Sequence, residues 1–414
     1  MRSAPNWHDE RSFTLTSPTP ATRTPVVIVG AGPVGLCAAL ELDRRNIACL
    51  LLDRADSPPS DLRASTFHPP TLEMLESLGL AEPLLADGLK VPEWQVRLHA
   101  THERAVFDLA VLGDDTPFPF RLQYEQANFC ALGWRRVAAA KHVNFRTGVE
   151  IASMAARDEF VEMRAMSGDV YQADWVIAAD GASSRLRQLL NLNFEGLTYP
   201  ETTILATTSF PFEEHLPGLS WVNYVWADEG TFSLLRVPGR WRVSLYPRDG
   251  ETVEQTLEPG RLQQRLQEIV PVSGDYDVME CRPYRIHQRI LDNYRAGRVL
   301  FAGDAAHLNS PSGGMGMNCG IHDAFNLADK LAQVMDGATD TPLDRYDRQR
   351  RPVAREEILA QADTNRRRMQ QRDPAWRRAE LERLQGIASD PAAAREFLLR
   401  SAMISGLRKA ATIE

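Results

Sequence analysis

The chain has 414 residues, of which 43% are hydrophobic and 25% are charged, and its formal net charge is −8. This length exceeds what one compact core usually holds, and the composition is that of an ordinary globular protein. No apolar run reaches the roughly 20 residues that a membrane-spanning helix needs, and the negative charge disfavours non-specific binding of nucleic acid. We therefore expect a cytoplasmic protein of more than one domain, with neither a membrane span nor a nucleic-acid partner.

Residues 1–24 are rich in Ser, Thr, Pro and charged residues and lack the apolar stretch of a secretion signal, so we expect a disordered tail there. The chain has five cysteines, none in a C-x-x-C pair: Cys37, Cys49, Cys130, Cys281 and Cys319. This spacing predicts free thiols in a reducing compartment, and no bound metal is expected.

The first ordered segment has the pattern of a strand, a glycine loop, a helix and a second strand. Pro25–Val29 is a β-branched run typical of a buried parallel strand, Leu36–Arg45 has apolar residues at helical spacing, and Ala48–Leu52 is a second apolar run. The loop Gly30–Gly35 reads Gly-Ala-Gly-Pro-Val-Gly, and Asp53 follows the second run. A G-x-G-x-x-G loop in this βαβ context predicts a dinucleotide-binding site.

Each residue of that loop has a physical task. Gly30 permits the tight turn, Gly32 lets the backbone approach a pyrophosphate, and Gly35 lets the helix pack on the strand. The helix start offers free N–H groups and a positive dipole end to the anion. Asp53 would accept hydrogen bonds from the adenosine ribose, whereas Arg54 is also explained as a surface residue. The predicted contacts here are Gly30, Gly32, Pro33, Val34, Gly35, Asp53 and Arg54.

Farther along the chain, helical and strand-like segments alternate. Leu72–Leu80 and Asn128–Lys141 predict helices, while His99–Arg121 is strand-like with breaks. A strand is expected around Val143–Phe145, and the apolar run Ala173–Ala178 leads into Asp180.

From Leu197 to Arg285, aromatic and β-branched residues are interleaved and often broken by Pro and Gly, which is typical of an antiparallel sheet. Arg298–Ala302 returns to a buried-strand pattern, Asp323–Met335 is an amphipathic helix, and the last 70 residues are helical and rich in arginine. The predicted fold is α/β: a Rossmann-like nucleotide-binding domain assembled from separated segments, an inserted, mostly antiparallel β-sheet substrate domain, and a helical C-terminus. The predicted bounds are 25–98, 122–190 and 286–340 for the nucleotide-binding domain, 99–121 and 191–285 for the substrate domain, and 341–414 for the C-terminal helices.

Two later motifs distinguish the nucleotide. One is Asp180–Arg187 (DGASSRLR); the other is Gly297–His307 (GRVLFAGDAAH), which continues through Pro311–Asn318 (PSGGMGMN). With the glycine loop, they resemble the DG and GD motifs of the single-component FAD-dependent aromatic hydroxylases, the class A flavoprotein monooxygenases similar to p-hydroxybenzoate hydroxylase and phenol hydroxylase. The resemblance covers roughly residues 25–400, although in the β-rich middle only the general pattern of residue types matches.

The resemblance implies FAD as the cofactor. Asp304 follows a predicted parallel strand, where ligands of open α/β sheets bind, and the matching family residue holds the ribityl chain. The glycines before the helix at Asn318 would leave space beside the flavin ring, and that helix start would stabilise negative charge on the reduced ring. Pro311 would close the flavin pocket, although this chain has Ser310-Pro311 where the family usually has two prolines. The further implied contacts are Arg63, Gln126, Asp180, Gly181, Arg187, Gly303, Asp304, Gly314, Gly316, Met317 and Asn318.

The implied reaction needs NADH or NADPH and O2, and it hydroxylates a phenolic or heteroaromatic small molecule through a flavin C4a-hydroperoxide. Since the chain has no second glycine fingerprint, the nicotinamide would bind transiently, with Arg187 among its contacts. The protein is expected to act as a monomer or homodimer.

A phenolic substrate must lose its proton, so a base or hydrogen-bond chain is expected. Candidates are Tyr224 and His287, with His215 and Tyr246 as further ones, although aromatic residues in a sheet are more often packed in a core. We take the catalytic candidates to be Pro311, His287 and Tyr224. The C-terminal arginines Arg366, Arg367, Arg368, Arg372, Arg377, Arg378 and Arg383 are interpreted as a solvated helix face.

Alternatives remain at this point. A flavoprotein of the same fold could act as an epoxidase or reductase, and a non-catalytic FAD-binding protein is a third possibility. The absence of a W-x-W-x-I-P segment argues against a halogenase. The intact Gly313–Asn318 loop argues against a passive binder, because a passive binder needs no open site for oxygen.

Overall fold

The computed structural model describes residues 23–60, 63–248 and 250–414. The tail predicted at 1–24 lies outside the described residues, except for its last two, which already belong to the first strand. The strands are β1 (Arg23–Val29), β2 (Cys49–Leu52), β3 (Thr66–Phe67), β4 (Leu89–Val91), β5 (Glu93–Leu98), β6 (Arg104–Asp108), β7 (Arg121–Gln123), β8 (Val143–Arg146), β9 (Ile151–Ala156), β10 (Val161–Ala165), β11 (Val170–Ala178), β12 (Phe194–Thr208), β13 (Val222–Ala227), β14 (Gly230–Val237), β15 (Arg240–Leu245), β16 (Val278–Leu291), β17 (Arg295–Ala296), β18 (Val299–Phe301) and β19 (His307–Leu308).

The helices cover the sheets and form the C-terminal part of the chain. They are α1 (Pro33–Arg44), α2 (Pro69–Ser77), α3 (Ala81–Asp87), α4 (Gln126–Ala138), α5 (Arg185–Leu189), α6 (Phe212–His215), α7 (Val253–Leu257), α8 (Pro259–Gln267), α9 (Gly316–Met335), α10 (Thr341–Val353), α11 (Ala360–Gln370), α12 (Pro374–Ser389), α13 (Pro391–Ser401) and α14 (Ile404–Ala411). None of the helices in these ranges is long and apolar enough to cross a membrane.

A sheet with a parallel centre forms the nucleotide-binding half. Its order is β17-β18-β11-β1-β2-β8, with β10 and β9 added in antiparallel fashion beside β11. Val26, Val27 and Ile28 of β1 are fully buried, as expected for a strand covered on both faces. The predicted strands at Pro25–Val29 and Ala48–Leu52 are confirmed within two residues at each end.

Helices α1 and α9 pack together against this sheet, and α4 packs beside α1. The α1–α4 approach is close at Gly133, where an added Cβ would lie 2.7 Å from Leu36 Cδ1. The helices predicted at Leu36–Arg45, Leu72–Leu80 and Asn128–Lys141 each begin two or three residues earlier than expected. Two of them begin at prolines, which the fixed φ of proline favours at the first helical position.

The second large sheet has the order β19-β16-β12-β15-β14-β13-β5-β6, and it is antiparallel except where β13 pairs with β5. The inserted antiparallel sheet is thus confirmed, but two of its predicted bounds are wrong. Strand β5 (Glu93–Leu98) falls within the predicted nucleotide-binding segment 25–98, yet it pairs with β6 and β13. Strand β16 continues to Leu291, past the predicted limit at 285, because β12 pairs with it along its whole length.

The C-terminal helices cover the outer end of the second sheet. Leu381, Leu384 and Leu398 are fully buried in one cluster with residues of β5, β6 and β13. Phe397 stacks on Phe107 at 4.7 Å between ring centroids, and Phe107 stacks on Trp94 at 4.6 Å. This apolar contact fixes α13 against the sheet.

The solvated-face interpretation of the C-terminal arginines holds for only part of the set. Arg367 is 75% exposed, whereas Arg366 and Arg368 are only 12% and 11% exposed. Arg377 is buried and donates hydrogen bonds to the carbonyls of Ala227 and Gln371. These arginines hold the helices to the sheet, since a guanidinium can satisfy several carbonyl and carboxylate acceptors at once.

The five cysteines are free, as predicted, and all but the half-buried Cys281 are buried. Burial raises the pKa of the Cys49 thiol to about 12, and that of Cys37 is also raised by burial. Thiols in such surroundings are poor nucleophiles, because the thiolate is the reactive form.

Candidate active site

Three of the sequence motifs meet at one edge of the parallel sheet. Strands β18, β11, β1 and β2 are neighbours, and Val29 pairs with both Leu52 and Ala178, which in turn pairs with Phe301. Gly30, Asp53, Asp180 and Gly303 follow these paired strand ends. Because the strands are parallel, their carboxyl ends share an edge, which is where open α/β sheets bind ligands.

The glycine loop has the geometry that a pyrophosphate site requires. Gly30 has φ +105°, and an added Cβ would lie 2.3 Å from the Ala179 carbonyl oxygen. At Gly35 an added Cβ would lie 1.8 Å from the Gly30 carbonyl oxygen. At Gly32 it would meet no atom within 4 Å, so the surface above Gly32 is open to an approaching group. The first intrahelical bond runs from Leu36 N to Gly32 O, which leaves the N–H groups of the first turn free for an anion.

Asp53 stabilises this loop through hydrogen bonds. Its carboxylate accepts hydrogen bonds from Ala31 N at 2.5 Å and Ala55 N at 2.8 Å, while the Trp134 indole donates to Ala31 O at 3.0 Å. Arg54 is exposed, and its side chain lies on the surface beside the loop. Asp53 is half-buried, so a ribose hydroxyl can still reach its carboxylate.

Two predicted loop contacts have a packing role that the sequence did not show. Val34 lies against the third motif, because an added Cβ at Gly303 or Gly320 would lie 2.7 or 2.6 Å from Val34 Cγ2. Pro33 begins α1 and has no N–H to donate. Both residues therefore shape the loop, and Val34 and Gly35 have the first-turn N–H groups that are available to an anion.

Asp180 lies at the end of β11, and Gly181 follows in a left-handed turn at φ +80°. Asp180 Oδ2 accepts a hydrogen bond from Leu186 N at 3.1 Å, whereas the buried Oδ1 has no hydrogen-bond partner among the described protein atoms. Burial raises the pKa of this carboxyl, and the hydrogen bonds that it accepts oppose the rise. A buried oxygen without a partner is costly, so Oδ1 is suited to a polar ligand.

Arg187 is buried between two of the motifs. Its guanidinium donates to Ala305 O at 3.0 Å and to Ala182 O at 2.6 Å, and it lies 3.9 Å from the centre of the Phe194 ring. This placement does not suit the predicted transient contact with a nicotinamide nucleotide at the surface. Through these hydrogen bonds Arg187 links the backbone of the second motif to that of the third.

Asp304 is solvent-accessible in a recess of the protein. The surrounding atoms raise the pKa of its carboxyl by desolvation, while the charges of His307, Arg63 and Arg187 lower it. Arg63 therefore faces the same recess, and its carbonyl accepts a hydrogen bond from Arg242 at 2.7 Å. Gln126, half-buried at the start of α4, donates its backbone N–H to Ala64 O at 2.9 Å. The structure thus brings Arg63 to Asp304 and places Gln126 beside the segment that carries Arg63.

The glycine-rich loop ends at the start of α9. Gly313 and Gly314 have φ values of +99° and +67°, and an added Cβ at Gly316 would lie 2.9 Å from Asn309 Oδ1. The first intrahelical bond is Cys319 N to Met315 O, so the N–H groups of Gly316, Met317 and Asn318 have no partner within the helix. This helix start can stabilise negative charge on a ring placed before it.

Asn318 has a structural role that the sequence did not reveal. Its buried amide donates to Thr66 O at 2.8 Å and Gly314 O at 2.7 Å, and its Oδ1 accepts from His68 N at 2.9 Å. The side chain thereby joins the segment at β3 to the glycine-rich loop. Only its backbone N–H remains for the predicted cofactor contact.

A buried charge cluster supports the third motif from behind. Asp323 Oδ2 accepts from Gly303 N at 3.1 Å and from His307 at 2.7 Å, and Arg350 Nε donates to Asp323 Oδ1 at 2.7 Å. Burial alone would raise the pKa of Asp323, but Arg350 and His307 lower it to about 2. Burial would also lower the pKa of His307, but Cys319 and Asp323 raise it well above its usual value.

Potential ligand atoms of His307, Cys319 and Asp323 lie within 4.8 Å of one another, a grouping that the sequence did not reveal. The Arg350 guanidinium occupies the same cluster, with Nη2 3.4 Å from Cys319 Sγ. A fixed cation there opposes a metal ion, so we interpret the group as an ion-pair network that holds Gly303 in place.

A cavity of about 440 Å³, including its mouth, lies beside the glycine-rich loop. It reaches Gly313 and Met315 of that loop, and residues of β5, β7, β13, α11 and α13 complete its walls. The lining side chains include Trp94 of β5, Arg121 of β7, Tyr224 of β13, Arg368 of α11 and Phe397 of α13. An aromatic, largely apolar cavity of this kind suits a small planar ring.

The structure separates the catalytic candidates. Tyr224 lines the cavity, with its ring 5.9 Å from that of Trp94. Pro311 is exposed at the start of the turn that Gly314 N closes on Pro311 O at 3.0 Å. His287 is half-exposed on β16 and bonds Thr198 Oγ1 at 2.9 Å, so it is not brought to the cavity. His287 was a candidate because it precedes the third motif in the chain, but chain order does not show which way a side chain of the second sheet points.

The two further candidates also differ. His215 stacks on Phe210 at 4.8 Å beside a separate core cluster. Tyr246 is close to Tyr224, and hydrogen bonds with Thr203 and Ser312 oppose the rise that burial causes in its pKa. Tyr246 therefore lies between the sheet and the glycine-rich loop.

The fold and site together define a flavoprotein of the FAD-dependent hydroxylase type, and comparison with known proteins agrees. Residues 23–361 match the FAD binding domain family. The para-nitrophenol 4-monooxygenase of a Pseudomonas species is 32% identical over 393 residues, which cover 92% of this chain and 96% of the relative. The 6-hydroxy-3-succinoylpyridine 3-monooxygenase HspB of Pseudomonas putida is 32% identical over 354 residues, 84% of this chain and 90% of the relative.

Among solved structures, p-nitrophenol 4-monooxygenase PnpA from Pseudomonas putida has a TM-score of 0.86 at 30% identity, covering 94% of this chain and 98% of that one. The chain belongs to the FAD binding domain family, within the class A single-component FAD-dependent aromatic hydroxylases. It is therefore an FAD-dependent monooxygenase, and the non-catalytic alternative is set aside. The open surface above Gly32, the partnerless Asp180 oxygen and the helix start at Gly316 all fit this cofactor.

Substitution of Asp304 by alanine should weaken FAD retention. Loss of a carboxylate hydrogen bond to the ribityl chain should raise the dissociation constant of FAD roughly 10- to 100-fold. The measurement is fluorescence titration of the apoprotein with FAD. Asp292→Ala, at an exposed turn residue, is the control and should leave affinity unchanged. Equal FAD affinity in Asp304→Ala and the unaltered protein would remove Asp304 from the site.

Substitution of Asp323 by asparagine should destabilise the protein by about 3–5 kcal/mol at pH 7, because it leaves Arg350 and His307 buried without their counter-charge. The pKa of Asp323 is lowered in the folded state, so its contribution is fully present above about pH 4 and is lost as the pH falls toward 2. Urea unfolding at pH 7 and at pH 3 should show the difference between the two proteins shrinking at the lower pH. Asp329→Asn, on the exposed side of α9, is the matched control, and a loss as large as that of Asp323→Asn would contradict the assignment.

Proposed function

We propose that this protein uses NADH or NADPH and O2 to hydroxylate an aromatic small molecule that is phenolic or heteroaromatic. The observation that carries the proposal is the aromatic cavity next to the glycine-rich loop, with Tyr224 in its wall. The names of two relatives support the ring types, since one acts on a nitrophenol and the other on a hydroxypyridine.

FAD, when bound, would supply the redox chemistry that couples oxidation of the nicotinamide to insertion of one oxygen atom of O2 into the substrate ring, with the other oxygen atom leaving as water. The chain's own residues position the cofactor and control its surroundings. Gly32 and the first turn of α1 would bind the pyrophosphate, and Asp304 would hold the ribityl chain. The start of α9 would stabilise negative charge on the flavin edge.

The cavity walls would exclude water from the oxygen-transfer step. Trp94 and Met315 are buried, and Phe397 closes the side formed by the C-terminal helices. Exclusion of water protects reactive species from hydrolysis and strengthens electrostatic interactions within the site. Gly313 has no side chain to block the approach between ring and cofactor.

Tyr224 would hold or move the proton of the substrate hydroxyl. Its phenol group can donate and accept a hydrogen bond, and it interacts with Arg121 and Arg368. Two cations beside this hydroxyl favour loss of a proton from any phenol bound there. Electron density on the ring then rises, as transfer of an electrophilic oxygen atom requires.

The nicotinamide nucleotide would bind transiently at the surface. Since Arg187 is buried between the two motifs, we assign it to the order of those loops rather than to direct contact with the nucleotide. The choice between NADH and NADPH, the route of oxygen transfer, the cytoplasmic location and a monomeric or homodimeric state remain predictions.

The test is substrate-stimulated turnover by the FAD-loaded protein. We expect oxidation of NADH or NADPH and uptake of O2 to rise with 4-nitrophenol, pentachlorophenol or 6-hydroxy-3-succinoylpyridine, and to yield a product that carries one oxygen atom from labelled O2. Mass spectrometry after reaction under ¹⁸O2 measures this incorporation. Nicotinamide oxidation that yields only hydrogen peroxide, with every aromatic compound unchanged across a broad phenol and pyridine panel, would refute the proposal.

Substitution of Tyr224 by phenylalanine should lower kcat by about 10²-fold or more, because a positioned proton-transfer group typically contributes that much. The loss should be smaller at high pH, where the substrate is already ionised in solution. The measurement is kcat against pH for both proteins. A uniform loss at every pH would indicate a packing role for Tyr224 instead. Tyr276→Phe, in the separate core cluster, serves as a control and should leave the pH profile unchanged.

A further inference from the structure

Arg121 is a buried cation with no acidic partner among the residues that the structure describes. The residue is 3% exposed, and its guanidinium lies over the Trp94 ring at 5.1 Å from the ring centre. Burial lowers its pKa, and the only interaction that opposes the fall is with Tyr224. Arginine nevertheless remains protonated in proteins, so the positive charge stays inside the wall of the cavity.

Other buried arginines in the described part of the chain have at least one carboxylate, imidazole or carbonyl acceptor, although the Nε atoms of Arg97 and Arg242 are also without a hydrogen-bond partner among the described protein atoms. Arg242 is paired with Glu125, Arg350 with Asp323, and Arg97 donates to His102 at 2.8 Å and to Pro217 O at 3.4 Å. A buried charge without compensation is strongly unfavourable, and its presence in a cavity wall marks it for a ligand.

Three polar atoms in the same wall, one of them in Arg121 itself, are unsatisfied. Trp94 Nε1, Arg121 Nε and Gln361 Oε1 are buried and have no hydrogen-bond partner among the described protein atoms. Two of the three are donors, and both belong to the stacked pair Trp94 and Arg121. Buried polar groups are nearly always satisfied in a native structure, so Trp94 Nε1 and Arg121 Nε, which have no acceptor among the described protein atoms, are suited to an acceptor on a ligand.

The position of Arg121 relates this acceptor to the cofactor site. Strand β7 pairs with β3 through Thr66–Gln123 and Phe67–Leu122, so Arg121 lies opposite the following residue, His68. His68 bonds Gly313 O at 3.0 Å, and burial together with the charge of Arg121 lowers the pKa of His68 to about 3. His68 is therefore neutral at physiological pH, whereas Arg121 places a positive charge in the wall of the cavity that reaches Gly313.

We propose that Arg121 and Trp94 bind an oxyanion carried by the aromatic substrate, so that the enzyme selects ring compounds with a phenolate or carboxylate group. The inference rests on the proposed function, since it specifies the substrate of the same cavity. A charged acceptor would pair with the guanidinium through charge-assisted hydrogen bonds, while Tyr224 lies beside both. Phenolate and carboxylate share this chemistry, and the choice of probe separates them.

The test measures binding without turnover, so it does not depend on whether hydroxylation occurs. FAD-loaded protein is titrated with 4-nitrophenolate, 4-nitrobenzoate and the neutral 4-nitroanisole in the absence of nicotinamide nucleotide. We expect at least one oxyanion to bind 10-fold or more tightly than 4-nitroanisole, and affinity for 4-nitrophenol to rise as the pH passes through that compound's own pKa. Affinities for both oxyanions no greater than that for 4-nitroanisole would overturn the proposal.

The Arg121→Met variant separates ligand binding from a structural role. We expect it to weaken the preferred oxyanion roughly 10- to 100-fold, to leave 4-nitroanisole unchanged and to unfold at the same or a higher temperature, because it removes an uncompensated buried charge. Arg121→Lys keeps the charge and should retain part of the preference.

Arg97→Met is the matched control, a buried arginine whose hydrogen bonds lie outside the cavity. It should lower the unfolding temperature and leave the preference for oxyanions intact. An Arg121→Met variant that loses stability as Arg97→Met does, and binds all three probes equally weakly, would show that Arg121 is structural.

Discussion

The parallel pairing of β18, β11, β1 and β2 is the constraint on which the rest of the site depends. Their common register brings Gly30, Asp53, Asp180 and Gly303 to one edge, although these residues are spread over more than half of the chain. A one-residue slip in any strand would turn its side chains to the opposite face and displace the residue that follows it. The tight contacts at Gly30 and Gly35 reinforce this register, because backbone atoms fill the space that a Cβ would need.

The motifs could be predicted from the sequence because each has a local physical reason. A positive φ or a close backbone approach requires glycine at a fixed place in the motif, as Gly30 and Gly303 show. A carboxylate such as Asp180 follows at a fixed offset from the end of a strand. The roles of Arg187 and Asn318 were less accessible, because their partners are carbonyls in other segments of the chain. Position in a motif thus indicates proximity to the cofactor but does not distinguish contact from support.

Most of the cavity could not be predicted from the sequence, for a different reason. Its walls come from β5, β7, β13, α11 and α13, which meet only through the second sheet and the C-terminal helices. Tyr224 was a candidate because a phenolic substrate needs a base or hydrogen-bond chain, whereas Arg121 belongs to a strand-like stretch in which an arginine has no distinguishing spacing. His287 was favoured by its position before the third motif, but the long β12–β16 ladder leaves it half-exposed beside Thr198.

Two buried charges near the glycine-rich loop differ in whether the protein compensates them. Asp323 is compensated twice, by Arg350 and His307, and it fixes the backbone at Gly303. Arg121 is compensated by no acidic group in the described part of the chain, and it lies in the wall of the cavity that reaches Gly313. A compensated network stabilises one arrangement of the loop. An uncompensated cation lowers the stability of the protein without ligand, and the protein regains that stability when an anion binds. The loop at Gly303 is thus held by the protein itself, whereas the proposed substrate anion would supply the charge that the cavity lacks.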